Sequence, residues 1–174
     1  QLANFMEPKS VPAESNWAAT RQAQLNTLSV SNTGMAVAID LGDWNDIHPE
    51  NKLDVAKRLA RVAYRVVYND PVEDSTGPIC MKAEDKGKYI LLTLSNAVNG
   101  LEIRDNRTVT NFALAGNDKK FTWANADIVG NQIRVWKNSQ IDIKYLRYAW
   151  ADNPMPVNVY NKAGLPVFPF EIAL

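Results

Sequence analysis

His48 is the only histidine in the chain, and it stands in a polar loop, "GDWNDIHPEN", residues 42–51. Asp40, Asp43 and Asp46 all lie within eight residues of it. An imidazole changes protonation near neutral pH, so it is the side chain best suited to take a proton from a hydroxyl nucleophile. A neighbouring carboxylate can fix its tautomer and stabilise its protonated form. Asp46 precedes His48 by two residues, Asn45 by three and Asp43 by five. The plainer alternative stays open at this point: a loop histidine can be a solvated or helix-capping residue. Asp46 or Asn45 would then support the turn before a helix, with Pro49 at an early helical position.

The elements that would position this loop are an apolar run before it and a helix after it. "GMAVAIDL" (34–41) is short, continuously apolar and bounded by Gly34 and Gly42, as expected for a buried parallel strand. "ENKLDVAKRLARVAYRVVY" places Val55, Leu59, Val62, Ala63 and Val66 on one helical stripe, with Lys52, Lys57, Arg58, Arg61 and Arg65 mainly off it. The basic residues read as a solvated face, with a phosphate- or polyanion-binding face formed by Arg58, Arg61 and Arg65 as the rival. Upstream, "SNWAATRQAQLNTL" offers Ser15 as an N-cap and Trp17, Ala18, Arg21, Leu25 and Leu28 at helical spacing. "QLANFMEPKS" reads as a core strand entered midway, which suggests a chain truncated on its N-terminal side. Strands alternating with helices imply an α/β layer with a parallel sheet, whose functional residues gather beyond the carboxyl ends of the strands.

From about Asn69 the texture changes. "NDPVEDSTGP" is a polar connector. Short strand candidates follow at 88–94, 101–105, 111–116, 121–129, 132–137 and 141–150. Gly130-Asn131 reads as a two-residue hairpin loop and "GNDKK" as a looser turn. This spacing predicts an antiparallel, sandwich-like second unit. The division is 1–69 and 70–174.

Composition removes several classes. Hydrophobic residues make up 46% and charged residues 22%, as in a globular domain with a sizeable core. Nineteen basic and nineteen acidic residues cancel, leaving no field to favour nucleic acid or an anionic membrane. Cys80 is the only cysteine, which excludes an internal disulfide and a Cys/His zinc site and suggests a small buried residue. No run reaches the roughly 18 apolar residues of a membrane span, and no signal peptide is visible in the chain.

The run "IDLGDWNDIHPENKLDVAKRLA" resembles the sialate O-acetylesterase family of bacterial carbohydrate esterases, within the SGNH hydrolase superfamily. "QLANFM" with "ESNWAATRQAQ" is similar to that family's central strand and next helix, and "LRYAWADNPMPVNVYNKAGLPVFPFEI" resembles its closing signature. The order agrees over nearly the whole chain. The resemblance implies the C-terminal part of an SGNH-type parallel-sheet hydrolase domain (1–69), followed by a β-rich accessory domain (70–174). It also implies metal-independent serine-esterase chemistry through an acetyl-serine intermediate on O-acetylated sialic acid or a related glycan, with no cofactor and a periplasmic or secreted location.

His48 carries over as the general base. At the Asp of the superfamily's Asp-x-x-His this chain has Asn45, so Asp46, in "DIHP", is the expected orienting carboxylate, with Asp43 as the alternative. The family's "GQSN"-like nucleophile motif and "QGESN"-like oxyanion block are absent. In "AESNW", Ala13 stands where the glycine would be and Ser15 is expected to cap a helix. Ser10, Ser29, Ser31, Ser75, Ser95 and Ser139 have no motif around them. The expectation is a chain that supplies the base while the N-terminal part of the same enzyme supplies the serine. The rival is a non-catalytic carbohydrate-binding or assembly module using Trp123, Trp136, Trp150, Tyr145 and Tyr148 as a sugar-stacking platform. Against it, alternating aromatics on strands more commonly pack as core.

Overall fold

The computed structural model describes residues 1–106, 108–138 and 142–174. Ser139, and Ile141 at the start of one strand candidate, lie outside the described residues.

Among the described residues two α-helices precede ten strands. Helix α1 spans Asn16–Asn26; the Ser15 hydroxyl accepts from the Ala18 amide at 2.9 Å, so the serine is the N-cap expected of it. Helix α2 spans Lys52–Val66. Its cap is Asn51, whose amide oxygen accepts from the Asp54 amide at 3.1 Å while its NH2 donates to the Asp54 carboxylate at 2.9 Å. That reciprocal pair starts the helix three residues after Pro49, which therefore stays outside it.

The strands are β1 (Ile79–Asp85), β2 (Tyr89–Ser95), β3 (Leu101–Ile103), β4 (Phe112–Ala115), β5 (Thr122–Trp123), β6 (Ala126–Val129), β7 (Gln132–Trp136), β8 (Tyr145–Tyr148), β9 (Val159–Asn161) and β10 (Phe170–Ala173). They form sheets β1-β2-β7-β6 and β10-β8-β4-β5 and the pair β3-β9. Every pairing between described strands is antiparallel. In β2 the alternation buries Ile90, Leu92 and Leu94 and turns Tyr89, Leu91 and Thr93 outward. Ile90 faces Val135 and Leu92 faces Ile133 across the ladder, and Gly130-Asn131 closes β6 onto β7 with Gly130 at φ 63°.

The expected parallel sheet is not formed by the described residues. Residues 1–5 and 35–39 have no regular secondary structure, although Ala36, Val37, Ala38 and Ile39 are buried. The reason is visible in their backbone partners. The carbonyls of Leu2 and Ala3 accept from Arg21, that of Val37 from Arg58 and that of Met35 from Thr76. Between the two runs the Gln1 amino group donates to the Ala36 carbonyl at 2.8 Å, a lone contact among the described residues where a ladder needs a repeating series. Val37 and Ile39 nevertheless join one hydrophobic cluster with Ile90, Leu92, Phe112, Leu146 and Phe168. At an apolar surface energy of about 25 cal/mol per Å2, such side chains contribute about 1.5–3 kcal/mol each when fully buried. Cys80 is half-buried, and burial pushes its thiol up to about 12, so it carries no thiolate chemistry near neutral pH.

The faces of α2 depart from the expected division. Arg58 is 8% exposed, whereas Leu59, on the apolar stripe, is 52% exposed. A buried carboxylate decides this: Asp40 lies under the helix, and Arg58 is the cation that reaches it.

Candidate functional site

The loop 41–51 hangs from a polar seam at its base. At its start, the Asp40 carboxylate accepts two parallel bonds from Arg58, Nη1 at 2.6 Å and Nη2 at 2.9 Å, and Nη1 also donates to the Val37 carbonyl at 2.7 Å. This bidentate fork uses the planarity of guanidinium, which lysine lacks. The Tyr160 hydroxyl, from β9, donates to the same carboxylate at 3.0 Å. Burial and the adjacent Asp40 charge drive the Tyr160 pKa upward, so its proton stays in place to make that bond. The Arg104 guanidinium covers the Tyr160 ring at 3.9 Å.

Two residues on, the Gly42 amide donates to the Asn4 side-chain oxygen at 2.8 Å. A Cβ at Gly42 would sit 1.9 Å from the Asn4 carbonyl, so only glycine permits this approach. The Asn4 NH2 in turn donates to Asn153 Oδ1 at 3.1 Å, and Asn153 Nδ2 donates to the Met6 carbonyl at 2.7 Å.

His48 itself is presented to solvent, with its side chain 85% exposed. Its backbone amide donates to Asp46 Oδ1 at 2.8 Å, the closure of an Asx turn, and its Nδ1 lies 3.4 Å from the same oxygen. The structure therefore brings His48 and Asp46 together, with the carboxylate bonded more closely to the backbone than to the ring. The His48 amide holds the Asp46 carboxyl below the usual carboxylate range, with the imidazole adding to the effect. By linkage, a depressed carboxyl pKa supports the turn at all pH values above the ordinary carboxylate range. That support fades as pH falls through the lowered value, so Asp46 is an anion throughout the neutral range. Asp43 and Asn45 are exposed on the same loop, and no bond joins either to His48. Asp40, the third aspartate, serves Arg58 and Tyr160 rather than the imidazole.

No serine among the described residues bonds His48. Ser15 is committed elsewhere: its hydroxyl caps α1 and donates to Asp152 Oδ1 at 2.6 Å. Beside the loop runs an open groove of about 470 Å3, mostly apolar, lined by Leu2, Phe5, Trp17, Ile47, Pro49 and Val55 among others.

The aromatic residues of the β-rich half are not assembled into one platform. Tyr148 is fully buried against Phe112, ring centroids 4.6 Å apart. Trp136 packs on Tyr89 at 5.3 Å on the outward side of its sheet, while Trp123 donates to the Ser10 carbonyl. Trp150 covers the Arg147 guanidinium, and Lys119 covers the Tyr145 ring.

Asn4, Arg21 and Tyr160 escaped the sequence reading as supports of this site. A faint signal existed for the first two. Asn4 interrupts the apolar "QLANF", and Arg21 falls on the inward stripe of α1; a polar group at a core position demands buried partners.

No protein-family model matches the chain, and no curated protein matches it. Among solved structures, the crystal structure of a novel carbohydrate acetylesterase from Xanthomonas citri matches with a TM-score of 0.90 and 36% sequence identity. The match covers 99% of this chain and 40% of that one. The chain thus spans less than half the length of that protein and shares the fold of the matched part, with few helices and mostly antiparallel sheets.

Proposed function

We propose that this chain is the histidine-bearing part of a serine carbohydrate esterase that removes O-acetyl groups from sialic acid or a related acetylated glycan. The observation that carries the reading is the 36% identity, over 99% of the chain, to a protein described as a carbohydrate acetylesterase. The loop geometry supports it, because His48 projects freely from a base held by Asp40, Gly42 and Arg58. In this reading a serine from outside residues 1–174 attacks the acetyl carbonyl and His48 takes its proton. The acetyl-serine forms as the sugar alcohol leaves with a proton returned by His48. Water, deprotonated by the same imidazole, then releases acetate and restores the serine. Asp46 steadies the imidazole as it becomes charged. The serine-bearing part would meet the groove beside the loop and the exposed Leu59 side of α2. A periplasmic or secreted location belongs to the same proposal.

The test is acetate release by the full-length protein from O-acetylated sialic acid and from other acetylated sugars, with residues 1–174 alone as the comparison. Release by the full-length protein and silence of the isolated chain is the expected result. Equal release by both would overturn the division of labour, and release from neither would remove the esterase reading. The orienting carboxylate is assigned by the same assay: Asp46→Asn is expected to lower kcat about tenfold or more, and Asp43→Asn less. A larger fall for Asp43→Asn would reverse the assignment.

A further inference from the structure

The β-rich half grips the start of the His48 loop at two points. From β9, Tyr160 reaches Asp40 across 120 residues of sequence, and from the loop after β8, Asn153 reaches Asn4, which holds the Gly42 amide. The contacts flank Leu41, whose own amide turns back onto the Ala38 carbonyl at 3.1 Å. Arg58, ten residues beyond His48, forks onto the same Asp40 carboxylate. Both ends of the segment that carries the imidazole are therefore referred to one buried carboxylate, which the β-rich half also holds. Asp40, Arg58 and Tyr160 are shielded from water, so their bonds are little screened by salt, while among the described residues His48 is bonded to Asp46 alone.

We propose that Tyr160, acting through Asp40, is a positioning residue for His48, and that the β-rich half is thereby a working part of the hydrolytic site. This rests on the esterase reading above. A loop of eleven residues with an exposed tip transmits small displacements of its base to that tip, and a misplacement of about 1 Å at a reacting group costs up to a hundredfold in rate. The Tyr160 hydroxyl is the one atom whose removal cuts the tie between β9 and Asp40 while leaving the Arg58 fork and the ring beneath Arg104 intact.

The experiment uses Tyr160→Phe in the full-length protein, with Ile133→Val, a core truncation in β7 that touches neither Asp40 nor His48 by any hydrogen bond, as the stability control. Turnover is read per folded site, and hydrogen exchange is followed over residues 41–51. The expected result is a fall in kcat of about tenfold with KM little changed, together with faster exchange in the loop. Ile133→Val, at a comparable loss of Tm, should leave kcat unchanged. Wild-type kcat and wild-type loop exchange in Tyr160→Phe would overturn the proposal, as would an equal fall in kcat for Ile133→Val. If His48→Ala keeps full activity, the esterase reading fails by itself. The exchange measurement then still decides the tie: faster exchange in the loop supports it and unchanged exchange refutes it.

Discussion

Replacing His48 with alanine in the full-length protein is expected to reduce acetate release by a factor on the order of 10³ while leaving the fold intact. General-base catalysis contributes about 10²- to 10⁴-fold, and the single histidine of this chain has no substitute within it. The fold should survive because the imidazole is 85% exposed and, among the described residues, meets only Asp46. Exposed substitutions away from caps and cores change stability little, so Tm should stay within about 2 °C of the wild type. The Asx turn closes through the His48 backbone amide, which alanine retains. Near-wild-type release by His48→Ala would reject the proposed mechanism. A large fall in Tm would show instead that the loop carries structural weight that its exposure does not suggest.

The parts of the fold readable in the sequence were those governed by local rules. Ser15 caps α1 because a serine there offers its oxygen to an amide three residues on. β2 and β7 alternate buried and outward residues, and Gly130-Asn131 turns β6 onto β7, so both strands and the hairpin were legible from local pattern. β1 was missed because a bulge between Cys80 and Lys82 breaks its alternation at a sheet edge. β9 and β10 are three and four residues long and lie among prolines, too short to show a period. The apolar runs at 1–5 and 35–39 read as strands because burial was legible, whereas pairing depends on neighbours that local sequence does not name. The inversion of Arg58 and Leu59 has the same origin: helical periodicity finds the apolar stripe, but the carboxylate that draws Arg58 inward lies 18 residues away. His48 and Asp46 were legible as a local pair, whereas the supports of their loop join residues 18 to 149 positions apart.

Arg21→Met is expected to be the most damaging single change to stability, costing about 3–5 kcal/mol, the range for breaking a buried charge network by removing one partner. Arg21 is fully buried, and its guanidinium donates to four backbone carbonyls. Nε meets Leu2 at 3.0 Å, Nη1 meets Ala151 at 2.7 Å, and Nη2 meets Ala3 at 2.8 Å and Asp152 at 2.9 Å. Burial lowers its pKa while the Asp152 charge partly offsets that effect, so the cation is tolerated because dipoles and a carboxylate surround it. Methionine fills much of the space but leaves the Leu2 and Ala151 carbonyls without the guanidinium, while Ala3 keeps the Trp17 indole N–H and Asp152 keeps the Phe5 amide; each buried orphan costs about 1–3 kcal/mol before relaxation. The same guanidinium fixes residues 2–3 against 151–152, the neighbours of Asn4 and Asn153, so its loss should also loosen the Gly42 amide. Arg21→Lys should recover only part of the loss, because an ammonium has three donors and cannot serve all four acceptors. For a chain of this size the Arg21→Met loss corresponds to a fall in Tm of about 10 °C, readable by thermal unfolding, with exposed Arg65→Ala as the neutral reference. A fall for Arg21→Met no larger than that for Arg65→Ala would mean that water or a shifted backbone satisfies the carbonyls, and that this buried arginine is not the clamp its bonds describe.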